Sequence, residues 1–226
     1  ALAPGIILHA CLPSTVQSSI GFTAIARGDV AAAVTAATAS NIIGIFLTPL
    51  LAALLLHSSG GGLSASSLQS IFLQLLAPFI AGQLLRRWIG PWVKANGKAL
   101  GWTDRGAILL VIYSAFSAAV VEGLWREVSG VDLARLLAIC AGLLAMVLIT
   151  TTAAARVLKF SKADEIAIVF CGSKKSLASG APMASALFPA AVVGPMILPL
   201  MLFHQLQLMA CAVIAQRYAA RPEAEG

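Results

Sequence analysis

The sequence predicts an all-α fold, a polytopic transmembrane helix bundle. Three observations predict it: a scarcity of charge, apolar runs long enough to cross a bilayer, and basic residues gathered in alternate connections. Of 226 residues, only 11% are charged and 59% are hydrophobic, and mean hydropathy is +0.92. A soluble domain carries about 25% charged residues. A surface of this size therefore lacks the charge to face water all round, and lipid must solvate much of it.

A spanning helix needs about 20 mostly apolar residues. Residues 30–56 form one such run, with Pro49 inside it, and 68–85 form another, ending at Arg86, Arg87 and Trp88. Residues 107–121 are shorter and extend into their flanks, 133–158 are long, and 190–215 are interrupted only by His204, Gln205 and Gln207. Two further segments, 11–26 and 165–188, are apolar at their ends but polar at their middles. Together these make about seven membrane segments. They form one transmembrane domain over 1–226, with 218–226 as a disordered tail. The chain opens without Met, inside Ala-Leu-Ala-Pro-Gly-Ile-Ile-Leu, which reads as the end of an earlier helix. A fragment lacking its first helices is expected.

Alternating the connections places Arg27, then Arg86, Arg87, Lys94, Lys98 and Arg105, then Arg156, Lys159 and Lys162, then Arg217 and Arg221 on one face. The opposite face takes the Ser/Gly loop 57–67, the loop 122–132 and the turn at Pro189. Such asymmetry follows the positive-inside rule. It predicts an inner or plasma membrane protein whose basic loops and C-terminus are cytoplasmic. Trp88, Trp92, Trp102 and Trp125 fall near helix ends, where indole rings anchor at the interface. The net charge of +6 is thus a matter of topology. No basic stripe or motif points to nucleic acid. Cys11, Cys140, Cys171 and Cys211 are dispersed, as are His9, His57 and His204, so no metal signature is present and no cofactor is expected.

The two interrupted segments carry the chemistry. One holds Pro13, Ser14, Thr15, Gln17, Ser18 and Ser19; the other holds Gly172, Ser173, Lys174, Lys175, Ser176 and Ser179. An unsatisfied polar group in hydrocarbon costs several kcal/mol. Such groups persist where they face protein or a water-filled cavity. Paired interrupted segments at corresponding places in two halves mark the binding site of an inverted-repeat transporter; small residues that let helices approach closely are the plainer reading. Lys174 and Lys175 add weight to the first reading, because a lysine in mid-membrane costs about 2.5–3.5 kcal/mol on the insertion scale. Pro13 and Gly172 mark the expected helix breaks, and Pro182 follows the second cluster.

The runs Cys11-Leu-Pro-Ser-Thr-Val-Gln-Ser-Ser19, Ala26-Arg-Gly-Asp-Val30 and Leu47-Thr-Pro-Leu50 resemble the bile acid:sodium symporter superfamily. Phe170-Cys-Gly-Ser-Lys-Lys-Ser-Leu-Ala-Ser-Gly-Ala-Pro-Met183 resembles its sodium/bile acid cotransporter 7-like branch. The resemblance implies two inverted repeats whose broken fourth and ninth helices cross at the centre, with this chain running from the end of the third helix through the tenth. It also implies secondary transport of a small organic anion, of bile acid or steroid-conjugate type, in a lipid environment. Sodium-coupled members use a Ser-Asn pair in the fourth helix, to which Ser18 and Ser19 come nearest. They add hydroxyls from the fifth helix, for which Thr35, Thr38 and Ser40 are candidates here. Their ninth-helix motif runs Glu-x-Gly-x-Gln-Asn. With Gly172 aligned, Phe170 stands at the Glu position, Lys174 at Gln and Lys175 at Asn.

That departure argues against the usual sodium site. Two unit charges 4 Å apart repel by about 4 kcal/mol at an effective dielectric near 20. Lys174 is expected to occupy the space of a sodium ion, which leaves proton coupling open. Two other classes stand beside transport. One, which the family resemblance keeps open, is a membrane-embedded regulator of calcium homeostasis that moves no solute. The other is an intramembrane Ser-Lys hydrolase, in which a lysine would activate a serine. Adjacent residues on a helix do not face each other, which weakens the hydrolase, and no enzyme activity is expected.

Overall fold

The structure, a computed structural model, describes residues 2–57, 73, 77–121, 123, 128–188 and 190–221. Every regular element among them is helical. In chain order they are α1 (Leu2–Cys11), α2 (Val16–Ile25), α3 (Val30–His57), α4 (Ala77–Ala95), α5 (Gly97–Val121), α6 (Gly130–Val157), α7 (Lys162–Gly172), α8 (Leu177–Leu187) and α9 (Ala190–Ala219). The loop at 58–67, Trp125, Pro189 and residues 222–226 lie outside the described residues, as do parts of the 68–85 run and the 122–132 loop.

Length separates α3, α6 and α9 from α1, α2, α7 and α8, with α4 at 19 residues and α5 at 25 between them. Among the described residues, three stretches are long and apolar enough to cross a membrane: Val30–Ala52, Gly130–Val157 and Val192–Ala219. At 1.5 Å per residue, the 28 residues of α6 rise roughly 42 Å, more than the ~30 Å hydrocarbon core. By contrast α1 and α2 have 10 residues each, and α7 and α8 have 11 each. Such a helix rises only about 15 Å, half the core thickness.

The chain divides into two compact units. One comprises Ala1–Cys11, Ile45–Glu127 and Ala178–Leu198; the other comprises Leu12–Gly44, Val128–Leu177 and Pro199–Gly226. In the first, Thr48 Oγ1 on α3 donates to the Cys11 carbonyl at 2.7 Å, satisfying a carbonyl at the end of α1 that has no partner within its own helix.

The basic stretch around 86–105, expected as a connection, is helical. Arg86, Arg87 and Lys94 lie within α4, Lys98 within α5, and only Asn96 separates the two helices. The Asn96 side chain donates to the Trp92 carbonyl at 2.9 Å and closes the end of α4. Long basic side chains bury their stems on an apolar surface while the charged head stays wet, so such residues do not force a loop.

The second unit holds its helix ends by local chemistry. Ser129 and Asp132 form a reciprocal capping box at the start of α6, with Asp132 N–H donating to Ser129 Oγ at 3.1 Å. Ser161 accepts from Asp164 N–H at 3.2 Å and starts α7. Asp29 Oδ1 accepts from Ala32 N–H at 2.9 Å at the head of α3. The turns after α2 and α6 match each other. Arg27 and Lys159 both adopt φ 57°, and Gly28 N–H and Phe160 N–H reach back to the carbonyls of Thr23 and Ala155 at 2.9 and 3.0 Å. Both are left-handed helix terminations. A methyl group on Gly28 would lie 2.5 Å from Ile166 Cγ2, so glycine is required there for α2 and α7 to pack.

The packed centre of this unit is Ala26, Ile166, Phe170, Cys211 and Ala215, flanked by Phe22, Ile214 and Tyr218. At one end, Glu165 of α7 is 4% exposed. It accepts from Lys162 Nζ at 2.7 Å and Tyr218 Oη at 3.0 Å, and pairs with Arg156 Nε at 3.5 Å. Tyr218 and Ala219 are thus helical, and the disordered tail does not begin at 218. Leu136, Cys140, Leu144 and Ala155 are the buried stripe of α6, whereas its Met146, Ile149 and Val157 are exposed apolar groups. That outward face suits lipid as solvent.

Candidate functional site

Both interrupted segments break, and the breaks meet inside the second unit. Between α1 and α2, residues 12–15 leave the helix. Pro13 has no N–H to donate and disfavours helical geometry at Leu12. Between α7 and α8, residues 173–176 leave the helix after Gly172. The backbone groups released at each break are satisfied by the other. Ser176 N–H donates to the Pro13 carbonyl at 3.0 Å. Thr15 Oγ1 donates to the Lys175 carbonyl at 2.9 Å, Ser14 Oγ to the Cys171 carbonyl at 2.7 Å, and Ser19 Oγ to the Phe170 carbonyl at 3.2 Å. Ser14 and Ser19 hydroxyls stand 3.3 Å apart.

Two neighbouring helices hold this junction. From α3, Ser40 Oγ accepts from Ser14 N–H at 3.0 Å, and Asn41 Nδ2 donates to the carbonyls of Ser14 and Ala37 at 2.8 and 2.9 Å. Gly44 gives Pro13 its seat, since a methyl group there would lie 2.7 Å from Pro13 Cβ. From α9, Gln207 takes Lys175 N–H on Oε1 at 2.9 Å and donates through Nε2 to the Lys175 carbonyl at 3.0 Å. Its amide also meets His204 Nδ1 at 2.8 Å. Gln207 is fully buried.

The two lysines diverge. Lys175 Nζ donates to the Leu12 carbonyl at 2.8 Å, a carbonyl freed by the first break. Lys174 is 1% exposed, and its Nζ has no hydrogen-bond partner among the described residues. It lies 4.0 Å from the Phe22 ring centroid and 5.8 Å from that of Phe170, in a cation–π setting. Lys174, expected to stand where a sodium ion would be, has the rings of Phe22 and Phe170 beside its ammonium, while the Lys175 ammonium meets the Leu12 carbonyl. On irregular backbone, consecutive side chains need not share a direction, so the sequence does not divide the pair.

Of the other residues singled out from sequence, Ser14, Thr15, Ser19, Ser173 and Ser176 are brought to the junction or its walls. Ser173 Oγ lies 3.9 Å from Cys211 Sγ. Gln17 is exposed, and Ser18 Oγ is buried with no partner among the described residues. Thr35 and Thr38 are exposed on α3, where Thr35 Oγ1 bonds the Ala31 carbonyl of its own helix at 2.9 Å. Ser179 lies on α8 in the other unit. Sequence reasoning missed Asn41 and Gln207 as site residues. Their signal was available in kind: a polar amide inside an apolar run must face a partner. Among the described residues no group of His, Cys, Asp or Glu is arranged to hold a metal ion.

Helices of spanning length, together with two broken helices that meet at their breaks, define an integral membrane protein of the broken-helix kind. The chain belongs to the SBF-like CPA transporter family, whose profile matches residues 1–220, a family of transporters rather than enzymes. It is 60% identical over 218 residues to the protein PA2026 of Pseudomonas aeruginosa, covering 96% of this chain and 66% of that one. It is 53% identical over 222 residues to YfeH of Escherichia coli, provisionally named a symporter, covering 98% of this chain and 67% of YfeH. It is 29% identical over 216 residues to sodium/bile acid cotransporter 7 of Rattus norvegicus, covering 94% of this chain and 63% of the rat protein. The chain therefore spans about two thirds of the length of these relatives.

Proposed function

We propose that the protein is a secondary transporter of a small organic anion, of bile acid or steroid-conjugate type, and that the junction of the two breaks is its substrate and coupling site. The observation that carries this reading is the junction itself. Half-length helices end there and free backbone carbonyls, the arrangement by which discontinuous helices bind substrates and ions, and two consecutive lysines lie on the second break. Lys175 takes the role of a coupling cation by holding the Leu12 carbonyl at the first break. Lys174, without a hydrogen-bond partner among the described residues, supplies the positive charge that meets the anion when the junction opens. A fixed ammonium would repel Na⁺ by about 4 kcal/mol at 4 Å and an effective dielectric near 20, so the proton is the coupling ion. The name of the rat relative pairs sodium with bile acid; in this chain the lysine pair replaces the sodium. The basic connections and the C-terminus face the cytoplasm from the inner membrane.

Counterflow tests transport without assuming a coupling ion. Full-length protein in liposomes preloaded with an unlabelled organic anion is expected to accumulate the same labelled anion transiently. Steroid sulfates, conjugated bile acids and short dicarboxylates make up the panel. No accumulation of any of them would overturn the reading in favour of a regulator that moves no solute.

A further inference from the structure

The contact between His204 and Gln207 fixes a protonation state. Lys175 N–H needs an acceptor, and Gln207 Oε1 supplies it at 2.9 Å. This orients the amide, so Nε2 must be the group that faces both the Lys175 carbonyl at 3.0 Å and His204 Nδ1 at 2.8 Å. An amide nitrogen only donates. His204 Nδ1 must therefore accept, and the imidazole is neutral with its proton on Nε2. Lys175 is in this way held through both its backbone groups, by an amide whose free hydrogen ends on a titratable ring.

We propose that His204 is a positioning residue that makes the hold of Gln207 on the second break depend on pH. A proton taken from water onto Nδ1 sets two donors against each other across 2.8 Å. Nδ1 also lies 3.3 Å from the Lys175 carbonyl, so the protonated ring can donate there and displace Gln207 Nε2. The amide then turns away, Oε1 leaves Lys175 N–H, and the hold of α9 on Lys175 is reduced from two backbone groups to its carbonyl alone. Among the described residues, the charged side chain whose field reaches His204 is Lys174. Lys175 presents its carbonyl to the ring and sends its ammonium to Leu12. The inference rests on the proposal that this junction is the moving part of a transporter, and supplies a means by which protons would loosen it.

Amide exchange tests it without requiring transport. Full-length protein in lipid nanodiscs is followed by mass spectrometry over the peptide containing Lys175, from about pH 8 to about pH 5, the range in which an imidazole titrates. Rates are corrected for the intrinsic pH dependence of exchange. Protection of the Lys175 amide is expected at the alkaline end, with exchange rising about tenfold as the bond is lost. His204→Asn keeps an acceptor near the Nδ1 position but has no proton to gain, so its profile should stay flat and protected. An equal rise in wild type and His204→Asn, or no rise in wild type, overturns the proposal. In the unsubstituted protein, the ¹⁵N spectrum of labelled histidine gives a second reading. Neutral His204 should carry its proton on Nε2, and the Nδ1–H tautomer would contradict the assignment. A protein that moves no solute yet shows the pH step would sink the transport reading and leave this one standing.

Discussion

Gln207→Leu is expected to lower the thermal stability of the full-length protein in detergent by roughly 2–12 °C. The substitution keeps volume at a fully buried position but removes the partner of Lys175 N–H. The Lys175 carbonyl keeps a partner, because Thr15 Oγ1 still donates to it at 2.9 Å. The bond from Lys175 N–H to Gln207 Oε1 is therefore lost, at a cost of about 1–3 kcal/mol. Each kcal/mol shifts the midpoint by roughly 2–4 °C in a chain of this size. The same reasoning expects the pair Gln207→Leu with Thr15→Val to fall further than the sum of the single changes, since only the pair removes both Gln207 Nε2 and Thr15 Oγ1 from the Lys175 carbonyl. A strictly additive cycle would mean that the two side chains do not share Lys175.

Lys175→Met is expected to cut anion uptake by roughly tenfold to a hundredfold while the protein remains folded. Methionine retains the stem and loses the ammonium that donates to the Leu12 carbonyl at 2.8 Å. A hydrogen bond to a charged group contributes about 1.5–3 kcal/mol, and each 1.4 kcal/mol is about a factor of ten. Backbone bonds from Ser176 N–H to Pro13 and side-chain bonds from Ser14 and Thr15 still join the breaks, which is why folding should survive. Uptake at the wild-type rate would remove Lys175 from the coupling role and leave it a packing residue.

Much of this site was legible before any fold was known. Pro13, Gly172 and the hydroxyl clusters announced the two interruptions because polar groups are costly in hydrocarbon. The long runs that became α3, α6 and α9 followed from hydropathy alone. The extent of α4 and α5 did not, since Arg86, Arg87 and Lys98 read as connection although a helix surface at an interface tolerates them. Asn41 and Gln207 were visible as polar residues in apolar runs, but their partners lie 27 and 32 positions away along the chain, and a single sequence does not say which polar group meets which. The division between the lysines was illegible for a different reason. Neighbours on irregular backbone take directions set by the surrounding helices. Only the packed structure sends Lys174 to Phe22 and Lys175 to Leu12.

The central claim is that a lysine ammonium stands where a coupling cation would, so that protons and not sodium drive the protein. Uptake of a transported anion into liposomes by the full-length protein tests this directly, with Na⁺ and pH gradients imposed separately across otherwise identical membranes. The account predicts accumulation driven by the pH gradient and unchanged when Na⁺ is replaced by K⁺. Accumulation that requires a Na⁺ gradient and ignores the pH gradient would contradict it, and would return the junction to a sodium-coupled mechanism.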